Sequence, residues 1–535
     1  MAPLLGNRNI FSLISILAAC AHGYPAAISG RHATLRLRED NGTLVDSVRF
    51  CSIPKSRFDT NSSQSRLQAA ISIDALLDKS QDLQDIAYAT PGRNRVFGSQ
   101  GHNDTVAYIV ELLTTPPFND YYDVTTQSFQ AEYSAGNASL LVDGTDRGVS
   151  LMTYSPSGSV SAPLVQVRNP GCSASDYPSD VSGAIVLIER GTCDFGLKAA
   201  YAGAAGAAGA IIYNNAEGNL SGTLGSVSRP EGTYPPTVGI DLEQGQALIG
   251  LLAGGEEIVG DLDVVSIIEN RTTSNVIAQT KGGDANNVLM LGGHSDSVEA
   301  GPGINDDGSG SIGILEVALQ LAQFSVNNAV RFAWWSAEEF GLLGSEHYVA
   351  SASADVLSKI RLYLNFDMIA SPNFIYAIYD GDGSAFNISG PAGSAEAEAL
   401  FEDYFKDKGL PSQPTEFNGR SDYGPFLDAG IPAGGLFTGA EQTKTAEEAA
   451  KYGGQAGVAT DANYHAAGDT TDNLNATAFL VNTQGIAHAV ATYGRSFDSI
   501  LARNSTTKTK LARSPTRLSQ MWKKDQAMAR LRQRA

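Results

Sequence analysis

At 535 residues, 42% hydrophobic and 18% charged, the chain has the material for two or three domains with buried cores. Its net charge of −20 argues against nucleic acid or an anionic membrane surface as the main partner. Residues 1–23 read as a signal peptide: Arg8 gives a positive start, Ile10 to Ala19 a short apolar core, and Ala19-Cys20-Ala21 a cleavage-like end. That core is about half the ~20 residues of a membrane span, so export is expected and a membrane anchor is not.

Export gives meaning to the Asn-x-Ser/Thr sequons at Asn41, Asn61, Asn103, Asn137, Asn219, Asn270, Asn387, Asn475 and Asn504, which become candidate glycosylation sites. It also favours disulfides. Cys20 would leave with the signal peptide, Cys172 and Cys193 are expected to pair, and Cys51 is left over. No Cys-x-x-Cys or Cys/His zinc-finger spacing exists, so any metal must be held by His and carboxylates.

Residues 24–70 are polar with little periodicity, as in a propeptide or flexible extension. The first part of the main domain follows at 71–130. Ile73, Leu76, Leu77 and Leu83 recur at helical spacing, 104–113 reads as a second helix, and 121–133 alternates like a strand. Over 131–265 short strand-like runs ("APLVQV", "GAIVLIER", "AAGAIIYNN", "TVGI") alternate with Gly and Ser around a small-residue helix at 197–209. This stretch contains no histidine and reads as a non-catalytic accessory domain.

From 266 to 502 the pattern becomes strand, loop, helix, repeated, which predicts an α/β fold with a mostly parallel central sheet flanked by helices. Apolar runs at 287–291, 329–336, 360–366 and 431–437 supply the strands, and Ile312, Leu315, Leu319 and Ala322 mark a helix. The tail, 503–535, is basic and polar, with ten Lys/Arg against one Asp.

Three of these strands end in polar groups: His294 and Asp296 after the first, Glu338 and Glu339 after the second, Asp367 after the third. Open α/β sheets bind ligands at the carboxyl ends of their strands. Buried carboxylates brought together there repel unless a cation sits among them. Asp306, Glu339 and Asp367 would balance two divalent ions bridged by hydroxide, and imidazole with carboxylate is zinc chemistry. Calcium fits poorly: "DDGSGS" resembles the start of an EF-hand loop, but position 12 is Val317 or Ala318 in place of Glu.

A second imidazole must come from the remaining histidines. His22 lies in the signal segment, His32 in the polar arm, His102 in an early loop, and His347 and His488 in helical stretches. His465 lies in a polar loop before the last helix, and spacing alone favours it only modestly over His102.

Five linked motifs, "GGHSDSVEAGPGINDDGSGS", "SAEEFGLLGS", "LNFDMIASP", "NGRSDYGPF" and "DANYHAAGDT", resemble metallopeptidase family 28, above all its leucine-aminopeptidase branch, in order and spacing over residues 71–502. The resemblance implies that 131–265 is a protease-associated domain inserted into a zinc-peptidase fold. It implies two zinc ions per chain, bridged by Asp306, with His294 and Asp367 completing one site and Glu339 and His465 the other. Glu338 becomes the general base, Asp296 the carboxylate that orients His294, and Tyr464 the donor to the oxyanion.

Met368, Arg420 and Phe437 fall near a substrate pocket that suits Leu-like side chains, and the Asp306–Asp307 peptide is expected to be cis. The implied enzyme is a secreted monomeric aminopeptidase acting on peptides with a free N-terminus. A related carboxypeptidase would need an arginine cluster for the substrate carboxylate, whereas Arg420 is the only arginine in these pocket motifs. A glutaminyl cyclase would not need the inserted domain. A transferrin-receptor-like binding protein would not need a full set of metal ligands.

Overall fold

The computed structural model describes residues 62–500, apart from 216–219, 221 and 256. The signal segment, His22, His32, Cys20, Cys51, the basic tail and the sequons at Asn41, Asn61, Asn219 and Asn504 lie outside the described residues.

The chain enters through α1 (Ser62–Ala70), inside the stretch read as non-periodic. Leu67 is fully buried and joins the main core, and Gln68 Nε2 meets His488 Nδ1 at 3.2 Å. The folded part therefore begins upstream of Ile71. In α2 (Ile73–Tyr88) Leu76, Leu83 and Ala87 face inward, as their spacing requires. In α3 (Gln100–Thr114) Ser99 caps the helix by accepting from the His102 amide. His102 is thus in the first turn of a helix, not in a loop, because that cap starts the helix earlier than the apolar pattern suggests.

β1 (Tyr122–Val142) then leaves the main body as one edge of a long ribbon. The inserted region carries β2 (Thr145–Asp146), β3 (Ser150–Thr153), β4 (Gly158–Gln166), β5 (Ile185–Glu189), α4 (Phe195–Ala204), β6 (Gly209–Tyr213), β7 (Gly222–Thr223), β8 (Thr237–Ile240) and α5 (Leu242–Ala253). Strands β4, β5, β6 and β8 run parallel, and Ile185–Ile188 and Ala210–Ile212 are buried on both faces. Cys172 and Cys193 are joined in a disulfide, as expected. β9 (Val259–Thr280) returns antiparallel to β1, in register from Val142↔Gly260 to Tyr122↔Thr280.

The main domain continues with β10 (Asp284–His294), α6 (Gly308–Leu321), β11 (Asn328–Trp335), α7 (Leu343–Ser351), α8 (Ala354–Lys359) and β12 (Ile360–Phe366). It closes with β13 (Ala377–Tyr379), α9 (Ser394–Asp407), β14 (Gln413–Thr415), α10 (Tyr423–Asp428), β15 (Ala433–Phe437), α11 (Ala446–Tyr452) and α12 (Ala476–Tyr493). The strand order is β14-β13-β15-β12-β10-β11-β9, and β9 carries the pairing on to β4 of the insert. The central run β15-β12-β10-β11 is parallel.

Successive residues of a strand point to opposite faces, and both faces here are covered. Leu289, Leu291, Phe332, Trp334, Leu364 and Phe366 pack toward α2, α3, α6, α9 and α12. Val288, Met290, Ala333, Trp335 and Tyr363 pack toward α7 and α10, where Tyr363 stacks on Phe426 at 3.8 Å. This two-sided burial makes the strands near-continuous apolar runs, and a cluster of acidic and imidazole side chains follows where they end.

Candidate metal centre and cleft

β10, β11 and β12 are parallel neighbours, so His294, the Glu338–Glu339 pair and Asp367 emerge on the same edge of the sheet. The loop after His294 brings back Asp306, whose peptide bond to Asp307 is cis, as the resemblance implied. Close approach here depends on glycine. A Cβ at Gly310 would stand 1.9 Å from the Phe366 carbonyl oxygen, and one at Gly293 2.5 Å from Asp307 Oδ2. Ala337, Met368 and His465, all at the site, hold positive φ of 59°, 50° and 56°, a conformation that costs side-chain-bearing residues on the order of 1–2 kcal/mol each.

Asp306 stands between two imidazoles. Its Oδ1 lies 3.2 Å from His294 Nε2 and its Oδ2 3.1 Å from His465 Nε2. His294 Nε2 also faces Asp367 Oδ1 and Glu338 Oε2, each at 3.8 Å, while His465 Nε2 lies 2.9 Å from Glu339 Oε2. On its other side His294 Nδ1 is 3.2 Å from the backbone oxygen of Asp296 and 3.6 Å from its Oδ1. Asp296 Oδ1 also accepts from the Glu338 amide at 3.1 Å. Tyr464 stacks on the His465 ring at 3.8 Å.

His102 does not join this cluster. It is fully buried, with Nε2 3.0 Å from Ser295 Oγ and Nδ1 3.2 Å from Thr273 Oγ1. His347 stacks on Phe129 and His488 sits against Tyr404, both packing roles.

Electrostatics show how much negative charge the cluster concentrates. Burial drives Glu338 well above the ordinary carboxylate range, with Glu339, Asp422 and Asp367 adding repulsion against the pull of His294. Burial pushes Asp367 up to about 6, and Asp306 repels it, while His294 and Ser421 oppose the rise. For His465, burial favours the neutral ring, but Glu339 and Asp306 outweigh it and raise the ring to about 9. A buried cluster so rich in negative charge is satisfied by taking up protons or cations. Two imidazoles and several carboxylate oxygens converging in this way are a donor set for zinc.

Several residues that hold this arrangement do not stand out in the sequence. A one-way chain of hydrogen bonds reaches Asp367 from below the sheet. Trp335 Nε1 donates to Tyr363 Oη (2.9 Å), Tyr363 Oη to Asn365 Oδ1 (3.0 Å), Asn365 Nδ2 to Ser421 Oγ (2.7 Å), and Ser421 Oγ to Asp367 Oδ2 (2.5 Å). Asp469 accepts from the amides of Asn305 and Asp306. Asp307 accepts from the amides of His294, Gly310 and Met368, so its oxygens are spent on the backbone and it is a brace more than a ligand. Arg95, fully buried, donates to the carbonyls of Ser295, Pro302 and Gly303 and pins the metal loop to the first part of the domain. Ser421 and Asp469 do lie inside the "NGRSDYGPF" and "DANYHAAGDT" motifs, which is the signal that could have found them.

The cluster forms the floor of a cleft of about 260 Å³. Met368, Ile375, Phe386 and Phe437 supply apolar wall, and Glu416, Arg420 and Tyr464 supply polar wall. The guanidinium of Arg420 is already forked onto Glu441, at 2.7 and 3.3 Å.

Residues 275–490 match the model of peptidase family M28, and residues 160–248 match that of the PA domain. A probable leucine aminopeptidase 2 of Aspergillus fumigatus is 58% identical over 432 residues, covering 81% of this chain and 85% of that protein. The chain belongs to peptidase family M28. Leucine aminopeptidase 2 of Trichophyton rubrum is 54% identical over 446 residues, covering 83% of this chain and 89% of its own. Among solved structures, the M28 fold is matched by an aminopeptidase from Aneurinibacillus sp. strain AM-1, with a TM-score of 0.65, 28% identity, and 82% and 98% of the two chains covered. The zinc aminopeptidase BSAP of Bacillus subtilis shares the fold at a TM-score of 0.57 and 23% identity, over 82% and 97% of the two chains. This M28 member is a peptidase, built as a mostly parallel α/β sheet with a PA domain inserted into it.

Proposed function

We propose that the protein is a secreted di-zinc aminopeptidase that releases N-terminal residues, Leu and other apolar ones foremost, from peptides. The observation that carries the two-metal reading is Asp306, with one oxygen turned to each imidazole. His294 and Asp367 would hold one ion, His465 and Glu339 the other, and Asp306 both. Two zinc ions there would acidify a water and polarise the scissile carbonyl.

The protein's own groups do the rest. Glu338, at the cleft and kept basic by burial and then by its acidic neighbours, takes the proton from the attacking water and returns it to the leaving amine. Tyr464 donates to the carbonyl oxygen as it becomes negative. Met368 and Phe437 receive the apolar side chain, and the acidic floor attracts a free α-amino group. The names of the relatives support this aminopeptidase reading. A carboxypeptidase is disfavoured because Arg420 is occupied by Glu441 and would have to be released to receive a substrate carboxylate.

Export is supported by the pattern of residues 1–23 and by the Cys172–Cys193 disulfide. Asn103, Asn137, Asn270 and Asn387 are exposed and open to glycan attachment. Among the described residues no helix is long and apolar enough to cross a membrane.

The adjacent pair Glu338 and Glu339 tests the assignment. Glu338→Gln should keep zinc and KM but lose about 10²–10⁴-fold in kcat, whereas Glu339→Ala should lose zinc as well. Zinc per chain after dialysis, read beside leucine-amide kinetics, decides between them. Near-normal turnover by Glu338→Gln, or loss of metal from it instead of from Glu339→Ala, contradicts this division of roles.

A further inference from the structure

The cleft wall contains a cation that the proposed catalytic steps leave unused. Arg420 Nη2 donates to Tyr464 Oη at 3.2 Å. The same guanidinium is held by both oxygens of Glu441. The loop beneath is fixed: the Arg420 amide donates to Asn418 Oδ1 (3.0 Å), Tyr423 Oη donates to that same oxygen (2.9 Å), and Tyr423 Oη accepts from the Gly419 amide (2.9 Å). On its other flank the Tyr464 ring stacks on His465. The phenol is therefore gripped by its ring and by its oxygen.

A guanidinium has five N–H donors and no acceptor. Whatever else Tyr464 Oη bonds to, its contact with Arg420 occupies a lone pair, and its proton points away from Arg420. We propose that Arg420, clamped by Glu441, is a positioning residue that orients Tyr464 with its O–H toward the substrate carbonyl and strengthens it as a donor. A cation accepting nothing behind the phenol polarises the O–H bond, so the benefit grows as negative charge develops on the substrate oxygen. The inference rests on the reading of the cleft as the peptidase site and deepens it. It gives Arg420 a part other than substrate recognition, and it adds Glu441 to the machinery.

A double-mutant cycle on the zinc-loaded full chain tests this, with leucine amide as substrate. Tyr464→Phe should lower kcat by roughly 10²–10³-fold, the scale of one lost oxyanion donor. Arg420→Met should lower kcat by about tenfold with KM nearly unchanged, at wild-type zinc content. The double variant should be no slower than Tyr464→Phe alone, because Arg420 acts through the hydroxyl that Phe lacks. Glu441→Gln, which spares the guanidinium, should lower kcat more weakly in the wild-type background and have no effect in the Tyr464→Phe background.

Losses that multiply in the double variant, or an Arg420→Met effect confined to KM, would overturn the proposal. If Arg420→Met fails to fold, the Glu441→Gln arm decides the question by the same comparison of backgrounds. Glu338→Gln run alongside separates the two levels. A fully active Glu338→Gln sinks the reading of the whole cleft, whereas multiplicative losses beside an inactive Glu338→Gln sink only the coupling.

Discussion

Each hydrogen bond in the chain that ends on Asp367 has a defined donor, and the first donor, the Trp335 indole, cannot accept. The chain therefore presents only hydrogen to Asp367 Oδ2 and keeps that carboxylate an acceptor, suited to a ligand and unsuited to proton transfer. Among the described residues no such chain reaches Glu338, in keeping with the base role proposed for it. His102 gives a residue-scale prediction for pH. Burial lowers its ring to about 4, from 6.5, so the unfolded chain binds a proton between those values and the folded one does not. Its contribution to stability is present above pH 6.5 and lost as pH falls through 4, by roughly 3 kcal/mol. Acid titration of stability should be steeper in wild type than in His102→Gln by about that amount, with the carboxylates cancelling in the difference. Parallel curves for the two proteins would show that His102 is not buried neutral.

At the scale of elements, the sequence was most legible where physics leaves a period. The strands β10, β11, β12 and β15 were readable because burial on both faces makes them continuous apolar runs. Reading which side chains follow them gave His294, Glu338, Glu339 and Asp367, and the structure brings all four together. The second imidazole was less legible. His465 and His102 both lie outside strands, and only the fold separates them, placing two hydroxyls against His102 and two carboxylates against His465. Arg95 was not legible at all, because a guanidinium that bonds backbone carbonyls some two hundred positions away imposes no local pattern. The helix α1 leaves little pattern because Leu67 is the one buried side chain among its residues 66–70. Leu67→Ala should therefore cost about 2–5 kcal/mol, seen as an earlier urea midpoint, with kcat unchanged. An unshifted midpoint would mean that α1 is detachable.

Across the whole molecule, the PA-bearing insert is attached by two strands paired side by side, so its two ends leave the main body as neighbours. Tyr133 and Glu299 are hydrogen-bonded, and Arg271 stacks over Tyr133, which anchors the base of the ribbon on the main-domain side. Gly136 lies opposite Ser266, and joining that pair through an Asn-Gly turn would close a hairpin of the favoured type. The shortened protein, with residues 137–265 replaced, should fold, bind zinc and hydrolyse leucine amide at close to the full-length rate. Loss of turnover with zinc retained would instead show that the insert shapes the cleft.

The same ribbon dictates an order of assembly. The apolar faces of α2 and α3 leave the ribosome before α6 and α12, the helices they pack against in the main core. β1 must also find β9, which lies on the far side of the insert and in turn forms one edge for β11. Closing so long a loop by chance encounter carries an entropic cost. The insert has buried clusters of its own, one of which includes Leu140, Leu262 and Val264 of the ribbon itself. Once it folds, the distal ends of β1 and β9 are already paired, and the remaining pairs form one after another down the ribbon toward Tyr122 and Thr280. The interruption in the peptidase sequence thus shortens the search by which its two halves meet.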